Sequence, residues 1–168
     1  MAVLLLSFVV LRERFAPEET RLKGLTPHLT VFRKTAGGVE QMRAGSLAKR
    51  ADVLQLGYVA SGAKYGVIFS VDGGGTITWH LPAGYAGGPR QSPALESAGE
   101  VILPSAYELD DAPGFERFFL LYSPHPFDLA PVAQAVRSLA ARPAAADREA
   151  LALPAGVGQY SLLIKKQG

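Results

Sequence analysis

The amino-acid sequence predicts a mainly β fold: an antiparallel β-sandwich of six to eight strands, with one helix in its C-terminal half and an apolar helix stub at the N-terminus. Three observations predict it. Residues 51–82, ADVLQLGYVASGAKYGVIFSVDGGGTITWHLP, hold apolar runs broken by two turn clusters, Ser61-Gly62-Ala63 and Asp72-Gly73-Gly74-Gly75, which reads as a meander of three successive antiparallel strands. Within it Val67, Phe69 and Val71 alternate with Ile68 and Ser70, and Ile77, Trp79 and Leu81 alternate with Thr76, Thr78 and His80. That period of two puts one sheet face in the core and leaves the other polar or only partly covered. Finally, 18 glycines and 12 prolines against a charged fraction of 19% suit a turn-rich β domain better than a helical bundle.

A chain of 168 residues with 48% hydrophobic content is long enough for one well-cored domain and short for two. The formal charge is +2, with the basic residues spread along the chain, so no electrostatic footprint for nucleic acid is present. Without cysteine, disulfides, thiolate metal sites and cysteine nucleophiles are excluded.

In chain order, residues 2–11 (AVLLLSFVVL) form an apolar run closed by Arg12, Glu13 and Arg14. As a helix it reaches about 15 Å, half of the ~30 Å hydrocarbon core. It has no basic n-region before it and no A-x-A-like cleavage site after it. The expectation is the C-terminal part of a truncated membrane anchor over residues 1–14, with a buried first strand as the alternative. Residues 15–26, punctuated by Pro17 and Gly24, are read as a tether, and 27–168 as the sandwich domain.

Residues 28–34 alternate as a first strand, 39–42 return, and 46–50 approach the meander. Residues 83–99, rich in Gly, Pro, Ser and Ala without periodicity, are expected as a long surface loop. Residues 100–104 and 106–110 are extended. RFFLLY at 117–122 is apolar on both faces and belongs in the middle of a sheet covered on both sides. From 127 to 142 the spacing turns helical, with Leu129, Val132, Val136 and Leu139 on one face, Asp128 able to cap and Pro131 in the first turn. An Ala-rich stretch at 144–153 allows a second short turn. A last strand at 158–166 points Tyr160, Leu162 and Ile164 one way.

Each candidate for chemistry has a plainer reading. Asp72-Gly73-Gly74-Gly75-Thr76 resembles a phosphate cradle in composition, but a strand rather than a helix follows, so a hairpin turn is expected. Asp110 and Asp111, with Glu108 near, are carboxylates without calcium-loop spacing, read as solvated turn residues. His28, His80 and His125 lack the partners of a zinc site. Ser123, His125 and Asp128 lie too close in sequence for a convergent triad, and no G-x-S-x-G elbow occurs. Trp79, Tyr58, Tyr65 and Phe69 could build a carbohydrate platform, but Trp79 shares a strand face with Ile77 and Leu81 and is assigned to the core. No catalytic, cofactor-binding or metal residue is therefore assigned, and no enzyme or cofactor is expected.

Taken together, GYVASGAKYGVIFSVDGGGTITWHLP, GEVILPSAYELDDAPGFERFFLLYSPHPFDLAPV and QYSLLIKK resemble a bacterial family of domains of unknown function found C-terminal to serine/threonine kinases and caspase-like peptidases, and in ActD-like proteins. The resemblance lies in Tyr65-Gly66 leading into the Val71 to Pro82 hairpin, in the Leu103 to Arg117 segment, and in Pro126-Phe127-Asp128 opening the helix. It covers about residues 25–166, most of the chain. It implies a non-catalytic accessory module, set outside the membrane by a preceding helix, that senses or docks a protein partner in a regulatory protein. Some relatives resemble anti-sigma factors with an N-terminal Cys/His segment, and this sequence contains no cysteine. Against an extracytoplasmic placement, Arg12, Arg14, Arg21 and Lys23 would favour a cytoplasmic flank. The loop at 83–99 is the expected docking element. The alternative is a soluble carbohydrate- or peptide-binding module, which requires Tyr65, Trp79 or Tyr85 on an open concave face.

Overall fold

The computed structural model describes residues 26–85, 87–88 and 90–167. The expected anchor at 1–14 and nearly all of the tether lie outside the described residues. Among the described residues no helix is long and apolar enough to cross a membrane.

The described chain runs β1 (His28–Thr35), β2 (Gly38–Met42), β3 (Leu47–Ala48), β4 (Val53–Val59), β5 (Tyr65–Asp72), β6 (Ile77–Leu81), β7 (Glu100–Glu108), β8 (Phe115–Ser123), α1 (Leu129–Ala140), α2 (Pro143–Ala146) and β9 (Gly158–Lys166). These strands form a four-stranded sheet, order β2-β1-β4-β7, and a five-stranded sheet, order β3-β9-β8-β5-β6. The fold is the expected mainly β sandwich. One strand beyond the expected range is the two-residue β3, whose pairing with β9 is parallel while all other strand pairs are antiparallel.

Two cores explain the architecture. The first lies between the sheets, where Leu29, Val31, Leu54, Leu56 and Tyr58 meet Ile68, Phe118, Leu120, Leu162 and Ile164. The second lies on the outer face of the five-stranded sheet, where Val67, Phe69, Val71, Phe119 and Leu121 are roofed by Leu129, Val132, Val136 and Leu139 of α1. The order is thus sheet, sheet, helix. Strand β8 sits centrally in its sheet and feeds alternate side chains to both cores, as its apolar run required. Helix α1 begins where expected, with Asp128 Oδ1 accepting from Ala130 N at 2.9 Å.

The same arrangement corrects three expectations. First, β4, β5 and β6 are not a meander: β4 lies in the four-stranded sheet and only β5 and β6 form a hairpin. The turn cluster between β4 and β5 is a corner from one sheet to the other, with Ser61 and Gly62 both at positive φ. Turn residues report a reversal, but which sheet the next strand joins depends on distant partners. Second, β5 has no solvated face: α1 covers Val67, Phe69 and Val71, while the side read as polar or partly covered is closed by the opposite sheet, with Ile68 in the inter-sheet core and Ser70 buried beside it. Third, the β5–β6 register shifts between Ile68 and Phe69, which pair with Leu81 and Trp79 and leave His80 as the extra residue. Leu81 therefore packs toward the inter-sheet core, while Ile77 and Trp79 pack on the helix side. In addition, the segments at 100–104 and 106–110 form most of one strand, β7.

Candidate functional site

The glycine cluster of the β5–β6 hairpin is closed by its own acid. Asp72 is buried and its Oδ1 accepts from Gly74 N and Thr76 N, both at 2.8 Å, so the amides a phosphate would need are already engaged. A Cβ on Gly73 would fall inside the carbonyl oxygen of Pro113, which holds this turn tightly against the segment before β8.

Next to the hairpin the inter-sheet core ends in a polar row. Cross-strand pairing sets Ser70 beside Phe118 and Asp72 beside Glu116. Carboxylate oxygens of Asp72, Asp110 and Glu116 lie within 4.8 Å of one another. Lys166, its side chain 3% exposed, donates from Nζ to Asp110 Oδ1 and, at 3.3 Å, to Glu116 Oε2, so an ammonium already serves as the counter-cation of this group. Burial raises the Glu116 carboxyl, opposed by Ser70 and by the Lys166 charge. The hydrogen bond from Lys166 holds Asp110 below the usual carboxylate range. Of the sequence candidates, Asp110 belongs to this group. Its partners are Glu116 and Lys166 rather than Asp111 and Glu108, and the only signal in the sequence was an acid or a lysine at an inward-facing strand position.

His80, the bulge residue, joins the same row: its Nε2 is 3.1 Å from Ser70 Oγ, and its ring packs on Tyr107 and Phe118 at 5.1 and 6.0 Å between centroids. Burial lowers its pKa to about 4. Burial also drives the Tyr107 phenol upward, with the Glu116 charge adding to it. The Tyr107 hydroxyl is buried without a hydrogen-bond partner in good geometry among the described residues.

Several other sequence candidates have partners of their own. Ser123 Oγ accepts from His125 N at 3.2 Å, and Asp128 caps α1. His28 Nδ1 is 2.9 Å from the Thr26 carbonyl oxygen. Tyr58 is buried in the inter-sheet core, and its hydroxyl accepts from Glu96 N at 3.0 Å. Phe69 stacks on Phe119 at 5.1 Å.

The loop between β6 and β7 falls into two parts. Its later part is stitched down: Gly66 N donates to the Pro93 carbonyl, Leu95 N to that of Lys64, Ser92 N to that of Phe127, and Leu129 N to that of Arg90. The start of the earlier part folds back on the edge strand β6, with Gly84 N donating to the Trp79 carbonyl at 3.3 Å, and there Tyr85 meets Trp79 at 4.7 Å between ring centroids, tilted by 54°. Together with α1 they enclose an open cleft of about 420 Å³, lined by Ile77, Trp79, Tyr85, Gly87, Ala130, Ala133 and Arg137. Trp79 is only half in the core: one side packs on Phe69 at 5.1 Å and the rest forms the cleft wall. Sequence periodicity gave its core role, and Tyr85 was named only as an aromatic that the carbohydrate- or peptide-binding alternative requires; Arg137, from the far end of a helix, carried no signal in the sequence. No protein-family model, curated protein or solved structure matches this chain.

Proposed function

We propose that this chain is a non-catalytic accessory domain of a membrane-tethered bacterial regulatory protein, and that it docks a protein partner through the cleft between Trp79, Tyr85 and α1. The observation that carries the reading is that cleft itself. Its apolar and aromatic lining and its volume fit a few side chains of a partner, and two of its seven lining residues, Tyr85 and Gly87, belong to the loop segment that the sequence marked for docking. Elsewhere, four of the carboxylates are committed to internal pairing: Asp72 to its turn, Asp110 and Glu116 to Lys166, Asp128 to the helix cap. The membrane tether and extracytoplasmic setting rest on the apolar run at 2–11 and on the family resemblance.

A photo-crosslinking amino acid placed at Tyr85 tests the docking reading in native host cells, with Lys34 on the opposite sheet as control. A discrete protein adduct from position 85, absent from position 34 and lost when Ala130→Phe fills the cleft, is the expected result. Adducts of equal pattern from both positions would refute it.

Carbohydrate binding is the second reading, favoured by the paired aromatic rings on an open cleft. Two rings at 54° form a corner rather than the flat face on which a sugar ring stacks. A glycan array showing saturable binding that Trp79→Ala abolishes would establish this reading in place of the first.

A further inference from the structure

The charge distribution of the cleft, on the docking reading just given, narrows the partner. Among the described residues, Arg137 is the one charged side chain lining it. The Arg137 side chain is exposed and has no ion pair or hydrogen bond among the described residues, although other arginines are paired: Arg33 with Glu40 and Asp52, and Arg142 with Glu149. Ala130, Ala133 and Arg137 follow one another along one stripe of α1, at spacings of three and four residues. Two small residues leave room beside the indole and the phenol, and a long cationic side chain closes the end. Helical side chains lean toward the helix N-terminus, which puts Ala133 and the space beside the rings within reach of the guanidinium.

We infer that the cleft takes a protein segment in which an aromatic or large aliphatic residue stands within two positions of an aspartate or glutamate. The apolar side chain enters between Trp79 and Tyr85 over the two alanines, where it displaces water from an apolar wall. The carboxylate meets Arg137, whose planar fork accommodates both oxygens. An extended segment advances about 3.3 Å per residue. Arg137 lies four residues, about 6 Å, along α1 from Ala133, so the two groups must be neighbours or next neighbours. A basic or amide-bearing segment meets the same apolar wall but leaves the guanidinium unpaired at the mouth.

Trp79 is the sole tryptophan of the chain, so its emission reports occupancy of this cleft directly. The test is a titration of the full chain with acetylated, amidated decapeptides. Each carries Phe or Leu followed by Asp or Glu, with Asn, Gln and Lys counterparts, and Trp79 emission is read. Acidic peptides should bind at least tenfold more tightly than their amide counterparts. Arg137→Glu should abolish or reverse that preference, Ala130→Phe should remove the response, and Lys34→Gln should leave it unchanged. Equal binding of acidic and amide peptides, with a response that Ala130→Phe removes, would overturn the acidic assignment while leaving the docking reading in place. No response to any peptide overturns the assignment too, and if position 85 also yields no discrete crosslink, the docking reading falls with it.

Discussion

Asp72 and Glu116 stand directly opposite each other on β5 and β8, two buried carboxylates in cross-strand register. Like charges so placed repel, and the structure separates their demands. Asp72 is satisfied by the amides of its own turn, and Glu116 by Lys166 from β9. The end of the inter-sheet core is therefore closed by a network in which Asp72 and Glu116 have different compensating partners, and Asp110 shares Lys166 with Glu116.

Removing the ammonium should be costly. Lys166→Met leaves Glu116 buried and unpaired, and a loss of about 3–5 kcal/mol is expected in urea unfolding, the range for breaking a buried pair from one side. Adding Glu116→Gln to Lys166→Met should recover part of that loss. If the double variant is no more stable than the single one, Glu116 is not the group that Lys166 compensates.

Stability should fall in mild acid through His80. Its folded-state pKa of about 4 lies below the ordinary value of 6.5, so between these limits the unfolded chain binds a proton that the folded chain refuses. The contribution is fully present above pH 6.5 and lost as pH falls to about 4, with a size up to about 3 kcal/mol. Glu116 acts with the opposite sign, because its raised carboxyl pKa favours the folded state on acidification through that pKa. Unfolding free energies at several pH values for the protein and for His80→Gln should diverge within that window, the variant showing the flatter profile.

Arg117 is a second buried anchor. It donates to the carbonyls of Ala146 and Glu149 at 3.0 and 2.7 Å and to Ser161 Oγ, while stacking over Phe119 at 4.6 Å. Arg117→Met should cost about 2–4 kcal/mol and release the segment around α2, seen as faster amide exchange over residues 143–151. Arg117→Lys should restore little, since an ammonium cannot span carbonyls and hydroxyl as a fork does. Unchanged exchange in Arg117→Met would show that α2 is held by packing alone.

The glycines of the hairpin should respond unequally. Gly73→Ala collides with Pro113 backbone, and about 2–3 kcal/mol is expected. Gly75 combines φ +82 with a Cβ position 2.6 Å from the Ala140 carbonyl oxygen, so Gly75→Ala should be at least as harmful. At Gly74 the nearest atom is Asp72 Oδ1 at 3.3 Å, and Gly74→Ala should stay within about 0.5 kcal/mol. Thermal unfolding of the three variants separates these cases.

Where the chain carried its own local signal, the fold was legible. The periodicity of α1, its Asp128 cap, the two-faced apolar run of β8 and the facing of β9 all follow from residues within a turn or two of one another. What escaped depends on residues far apart. The transfer of β4 to the opposite sheet is decided by β1 and β7 on either side of it. The bulge at His80 changes which face Leu81 occupies without any glycine or proline at the shifted position. In the candidate site, Trp79 was visible as an aromatic on a strand, but its neighbours Tyr85 and Arg137 come from a loop and a helix. Lys166 is 56 positions from Asp110. A charged residue inside an apolar strand signals a partner, not its address.

Strand β9 follows every other described strand in sequence, yet it occupies an interior place in its sheet, between β3 and β8. During synthesis β8 therefore waits with one edge unpaired, and the inter-sheet space remains without Leu162, Ile164 and Lys166. The sandwich cannot close progressively from its N-terminal side as translation advances. Its final cooperative step belongs to the arrival of the QYSLLIKK segment, and until then the nascent chain exposes a strand edge that a second nascent chain could occupy. Ribosomes spaced closely on one message would then favour exchange of β9 between neighbouring chains.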